Sequence, residues 1–136
     1  MREILFRGKR TDNCEWAYGA PTKDNHGEMV MVKSTFECDE YNCRGANCLY
    51  VDENTVGQYT GLTDKNGTKI FEGDILRRAY HPEEDVIIEW HDGRFKFRKR
   101  NKPKDYRYES LCCVQNTVDY LKVIGNIYDN PELLKG

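Results

Sequence analysis

Along most of this chain, apolar and polar residues alternate with a period of two, in short runs broken by Gly, Asn, Asp and Pro. Successive side chains on a strand point to opposite faces, so the pattern predicts half-buried β-strands rather than helices. REILFRG at the amino end starts the series, with Ile4 and Phe6 facing one way and Glu3, Leu5 and Arg7 the other, a strand with one buried face. Trp16 and Tyr18 mark a second short strand, closed by Gly19 and Pro21. TKDNHGE is a polar turn, and MVMVKSTF resumes as a third strand. CDEYNCRGANC has no usable periodicity and reads as an irregular insertion at about residues 37–48. Regularity returns at Leu49.

The glycine-rich stretch VGQYTGLTDKNGTKIFEGDIL, residues 56–76, has two readings. A phosphate-cradling loop places its glycines between a strand and a helix, so that backbone amides point at the ligand. No helix start follows here. Val56, Gln58, Thr60 and Leu62 instead fall on one side of a strand, opposite Gly57, Tyr59 and Gly61. Asp64-Lys65-Asn66-Gly67 is a tight turn, because Asn-Gly supplies the positive φ that closes hairpins. Thr68 to Phe71 forms the returning arm, and Glu72-Gly73-Asp74 bends the chain into a strand ending near Tyr80. In this reading Asp74 accepts hydrogen bonds from its own turn. The stretch is a hairpin.

Val86–Trp90 is apolar and β-branched, His91-Asp92-Gly93 is a turn, and 94–99 alternates charge with Phe95 and Phe97. Residues 108–116 fit a strand or a helical turn equally. Tyr120–Tyr128 is a final strand. Asn130-Pro131 offers an N-cap followed by proline at the first helical position, so PELL ends the chain as one helical turn. Short strands joined by tight turns predict an all-β, antiparallel, multi-sheet protein with mixed sandwich and barrel (SH3-like) features. The length of 136 residues fits a single domain, 1–136, with the cysteine-containing insertion and a basic loop at 99–107 as its irregular parts.

REILFRGKR at the start, VDENTVGQYTGLTDKNGTKIFEGDIL in the middle, EW near residue 90 and VIGNIYDNPELL at the end occur in an order that resembles the YopX family of bacteriophage and prophage proteins. The likeness runs across most of the chain and is weakest at 20–48 and 99–116. It implies a β-rich fold with sandwich and barrel features, an origin in phage genomes, and no established activity. It supplies no catalytic residue to carry over.

Composition changes the picture in one respect. Net charge is only −2, yet residues 94–107 hold eight Lys or Arg and one Asp, leaving 13 basic and 22 acidic residues elsewhere. Asymmetry of this kind concerns surface fields and partners rather than fold. No apolar run is long enough for a membrane helix and no secretion signal can be drawn, so a soluble cytoplasmic protein of the host cell is expected. In that compartment the six cysteines are thiols or metal ligands rather than disulfides.

Several residue groups carry possible chemistry. Cys38, Cys43 and Cys48 have metal-ligating side chains, but their spacing lacks the close pair that brings two sulfurs onto one ion. Cys112-Cys113 would need His26, His81 or His91 as a base, and nothing local brings one near. Asp64, Glu72, Asp74 and Asp92 all fall in turns, where carboxylates are ordinary. No metal, cofactor or catalytic residue is expected, and the protein is read as a non-enzyme.

The leading candidate is the basic segment, with Arg94, Lys96, Arg98, Lys99, Arg100, Lys102 and Lys104 as binding residues. Arg94, Lys96 and Arg98 project from one face of a strand, with Tyr106 and Tyr108 further on. Cations tracking phosphates beside stacking aromatics are the ingredients of single-strand recognition. If Phe95 and Phe97 face the core, however, they cannot stack on bases. The expected function is therefore a protein-interaction or self-assembling module, partnered by its own copies or by a host or phage protein. The alternative is a nucleic-acid-binding accessory protein using 94–107.

Overall fold

The computed structural model describes residues 3–32, 48–79, 81–91, 93–99, 117–118 and 120–134. It is an all-β protein whose chain divides into two compact units, Glu3–Gln58 and Tyr59–Gly136. Among the described residues no helix is long and apolar enough to cross a membrane.

The first unit is an antiparallel array of β1 (Phe6–Lys9), β2 (Trp16–Lys23), β3 (Met29–Val32) and β4 (Cys48–Tyr50). The first two residues of β5 (Gly57–Asp64) pair with β1 on its other side. A 3₁₀ turn at Glu53–Thr55 is capped by Asp52, whose side chain accepts from the Asn54 amide at 3.0 Å. Ala17, Met31 and Val51 form the small core, with Phe6, Met29, Leu49 and Val56 packed around it. Two expectations need correction here. Ile4 is 76% exposed while Leu5 and Arg7 are buried. Residues 3–5 precede the strand, so the pleat does not govern them, and the Arg7 guanidinium is held 4.5 Å above the Trp16 ring. Nor does β2 stop at Gly19 and Pro21. Residues 16–19 pair with β1 and 20–23 with β3, so among the described residues Pro21 sits where β2 has one strand neighbour and a missing amide is tolerated.

The second unit contains the rest of β5, β6 (Lys69–Phe71), β7 (Asp74–Arg78), β8 (His81–His91), β9 (Arg94–Lys99), β10 (Thr117–Val118) and β11 (Leu121–Asn126). The hairpin expected over 56–71 is present as β5–β6, with β10 running parallel to β5. Its alternation breaks, since Tyr59 and Thr60 are both buried where the pairing register shifts between Tyr59 and Thr63. A bulge opposes two residues to one and resets which face is inward, which strict alternation cannot foresee. Strands β11-β7-β8-β9 form a four-stranded antiparallel sheet. β8 begins at His81 rather than Val86, because its first residue still pairs with Arg78 of β7. Leu62, Ile70, Leu76, Val86, Ile88, Phe95, Phe97 and Leu121 make the main core, each worth about 1.5–3 kcal/mol for its larger side chains. PELL closes the described chain as a 3₁₀ turn, Pro131–Leu134. The Leu133 amide bonds the Asn130 carbonyl, whereas the Asn130 side-chain oxygen accepts from Asn126.

Candidate interaction surface

The β8–β9 hairpin fixes where the basic strand points. Its register sets Glu89 opposite Lys96, Ile87 opposite Arg98, His91 opposite Arg94, and Val86 opposite Lys99. Directly paired residues share a face and neighbours along a strand alternate. Phe95 and Phe97 are therefore turned into the main core, and Arg94, Lys96 and Arg98 lie on the reverse face. Arg98 is largely buried there and its Nε donates to Glu89 Oε1 at 2.7 Å. Trp90, 53% exposed, rests edge-on against Phe95 with ring centroids 4.9 Å apart. Arg100, Lys102 and Lys104, the remaining members of the segment, lie outside the described residues, as do Tyr106 and Tyr108.

The same face carries cations that the reading of the sequence missed. Lys122 of β11 stands opposite Arg77 of β7, and both are exposed. Arg77 forms a two-point pair with the buried Asp85, its Nε and Nη2 lying 3.1 and 3.2 Å from the two carboxylate oxygens. That hydrogen bond, ahead of the plain charge attraction, raises the already high pKa of Arg77. At the centre of this face Ile75 and Ile87 are fully buried. The cations thus surround a covered centre, and the face is not an open platform.

Two of the carboxylates singled out, Asp64 and Asp74, bond the backbone of their own turns. Asp64 accepts from the amides of Asn66, Thr68 and Val123, and Asp74 from the amide of Phe71 at 2.7 Å. Asp92, Cys38, Cys43, Cys112 and Cys113 lie outside the described residues. Cys14 and Cys48 are exposed thiols, and no group of three or more His, Cys, Asp or Glu among the described residues is arranged to hold a metal.

Strands, turns and an inward-facing aromatic ladder define an all-β protein with a charged sheet face. The chain belongs to the YopX family, whose profile, described as YopX protein, matches residues 5–135. Among solved structures it is similar to protein EF1440 from Enterococcus faecalis, at 27% identity and a TM-score of 0.58, over 99% of this chain and 100% of that one. It also shares its fold with yopX from Bacillus subtilis, at 15% identity and a TM-score of 0.52, over 100% of this chain and 98% of that one. No curated protein matches it. The family resemblance carried by the TVGQYTGL, DKNG and EGDI segments is thereby established.

Proposed function

We propose that the protein is a non-catalytic, self-assembling interaction module of phage origin, in which the basic segment 94–107 of one copy docks on the acidic surface of another. The observation that carries this reading is the opposite charge of two surfaces on one chain. In the Glu3–Gln58 unit Asp12, Glu15, Glu28, Asp52 and Glu53 are all exposed, Asp12 paired with Arg10 and Glu53 with Lys23, whereas in the other unit Asp64, Asp74 and Asp85 are buried while Arg77, Arg94 and Lys122 are exposed alongside Asp129 and Glu132. Complementary patches of this kind give register and rapid encounter between copies. With Phe95 and Phe97 in the core, β9 has cations for phosphates but no rings for bases, which disfavours the nucleic-acid alternative.

Sedimentation of the purified protein tests this across salt from about 0.1 M to about 1 M, over which the screening length falls from about 10 to about 3 Å. A defined multimer is expected at low salt, dissociating at high salt and in a variant with Arg94, Lys96, Arg100 and Lys102 changed to Glu. Arg98 is left intact because of its bond to Glu89. A monomer at every concentration, or a multimer indifferent to the variant, overturns the reading. Salt-dependent binding of labelled single-stranded oligonucleotides, lost in the variant, would put the alternative in its place.

A further inference from the structure

Of the ten asparagines in the chain, Asn66 alone is followed by a glycine. A glycine nitrogen has no side chain beside it, so its approach to the carboxamide of the preceding residue is the least hindered of any. Asn66 and Gly67 lie in the turn between β5 and β6, and both are exposed. The Asn66 backbone amide goes to Asp64 Oδ1 at 2.8 Å, while its side chain is bonded to none of the described residues. Gly67 has a φ of 81°, and nothing lies within 4 Å of the place where a methyl group on it would stand. Carboxamide, nitrogen and solvent therefore meet at one open point.

Asp64 fixes the frame around that point. Its Oδ1 accepts from the amides of Asn66 and Thr68, and its Oδ2 from the Val123 amide of β11 at 2.9 Å. The Gly67 amide donates to the Asp64 carbonyl at 3.0 Å, and this bond restrains the attacking nitrogen. It sits at the exposed tip of the turn, where local opening costs least. The carboxylate below is 1% exposed, so whatever lengthens the turn is felt at a buried charge.

We propose that Asn66-Gly67 is a site of spontaneous deamidation, with water as co-reactant, and that its isoaspartate product unlatches the buried Asp64. The Gly67 nitrogen bonds to Asn66 Cγ and the Cγ–Nδ2 bond breaks. Ammonia leaves, carrying the proton given up by the Gly67 amide, and a cyclic imide remains. Water opens the imide at either carbonyl. Opening at Cγ leaves an ordinary aspartate. Opening at the backbone carbonyl sends the chain through Cγ and adds one backbone atom between the nitrogens of residues 66 and 67. A single oxygen of Asp64 spans the amides of residues 66 and 68, and the lengthened chain cannot keep both on it. The site is independent of the self-assembly reading, since none of its residues belongs to segment 94–107.

The test is prolonged incubation of the purified protein in warm, mildly alkaline buffer, followed by peptide mapping in a mass spectrometer. A mass rise matching exchange of NH2 for OH is expected on the peptide that bears Asn66, with isoaspartate as the main product. The rise is expected to vanish in Asn66→Ser. In Gly67→Ala it should be about tenfold slower or more, a barrier higher by about 1.4 kcal/mol or more. Asn25, which precedes His26 in the turn between β2 and β3, is expected to stay intact. The isoaspartate form, separated from the parent, should show a lower urea midpoint and faster amide exchange at Thr68 and Val123. Asn66→Asp adds the charge alone and should keep the parent's values. No rise at Asn66, or one confined to the urea-unfolded chain, overturns the site. An isoaspartate form as stable as the parent, or Asn66→Asp equally weakened, overturns the unlatching.

Discussion

In the turn Asp24–Glu28, the Asp24 carboxylate accepts from the amides of His26 and Glu28, both at 2.9 Å, and from the Tyr50 hydroxyl at 3.0 Å. In the turn Asp64–Thr68, Asp64 accepts from the amides of Asn66 at 2.8 Å and Thr68 at 2.9 Å, and from the Val123 amide at 2.9 Å. The backbones agree as closely. Gly27 and Gly67 have φ of 78° and 81°, and their amides return to the Asp24 and Asp64 carbonyls at 3.1 and 3.0 Å. Each unit of the molecule thus closes a hairpin with the same device, a short turn ending in a left-handed glycine, written as DNHGE in one and DKNGT in the other. What differs is the setting. Asp24 lies at the surface and its third donor is the hydroxyl of an exposed tyrosine, while Asp64 is 1% exposed and its third donor is the backbone of a strand 59 residues on. The local sequence specifies the turn, and the depth at which it is set decides how much the rest of the unit depends on it.

The largest effect is expected from Asp64→Ala. Three amides lose the buried carboxylate that accepts from them, a loss of about 3 kcal/mol, seen as a lower urea midpoint with fast amide exchange at Asn66, Thr68 and Val123. Asp24→Ala should cost far less, and equal costs would break the comparison. Next in size is Arg77→Ala, which leaves the Asp85 carboxylate, 2% exposed, without its guanidinium partner. A loss of about 2 kcal/mol is expected, below that of a fully buried pair because Arg77 itself is 47% exposed. A urea midpoint unchanged from the parent would show that Asp85 does not depend on Arg77.

Gly27→Ala and Gly67→Ala sharpen the likeness between the turns. Nothing lies within 4 Å of the added methyl at either position, so only the backbone resists, at about 1 kcal/mol each. Melting curves showing clearly unequal losses would mean that the two turns are not equivalent. The smallest effect concerns pH. The Glu28 amide, more than the His26 amide or the Tyr50 hydroxyl, holds Asp24 below the ordinary aspartate value of 3.8. Its contribution is therefore present above that value and lost as pH falls through the lower folded one. Tyr50 is pushed above 10.0, first by its hydrogen bond to Asp24, so its contribution is present below 10.0 and lost as pH rises further. Amide exchange at His26 and Glu28 should quicken slightly at both extremes. A flat profile would remove the carboxylate and the hydroxyl from the account.

Much of the fold was legible along the chain. The DKNG turn, the meander of β7, β8 and β9, and the closing PELL turn all follow from spacing and turn chemistry within a few residues. The basic strand was legible too, since charges alternating with Phe95 and Phe97 put the rings in the core and the cations on the reverse face. Other features were not. The exposed Ile4 and buried Arg7, the passage of β2 through Pro21, the bulge within β5 and the early start of β8 each depend on which strand lies alongside.

By itself, then, the sequence determined the presence of most strands and turns and, along β9, which residues share a face, because those follow from backbone geometry over two to five positions. Only the tertiary structure decided that Asp64 would be buried and Asp24 left at the surface. It alone brought the Val123 amide of β11 onto the Asp64 carboxylate. Burial and convergence are set by pairing between residues far apart in the chain, and such pairing leaves no mark in the residues on either side.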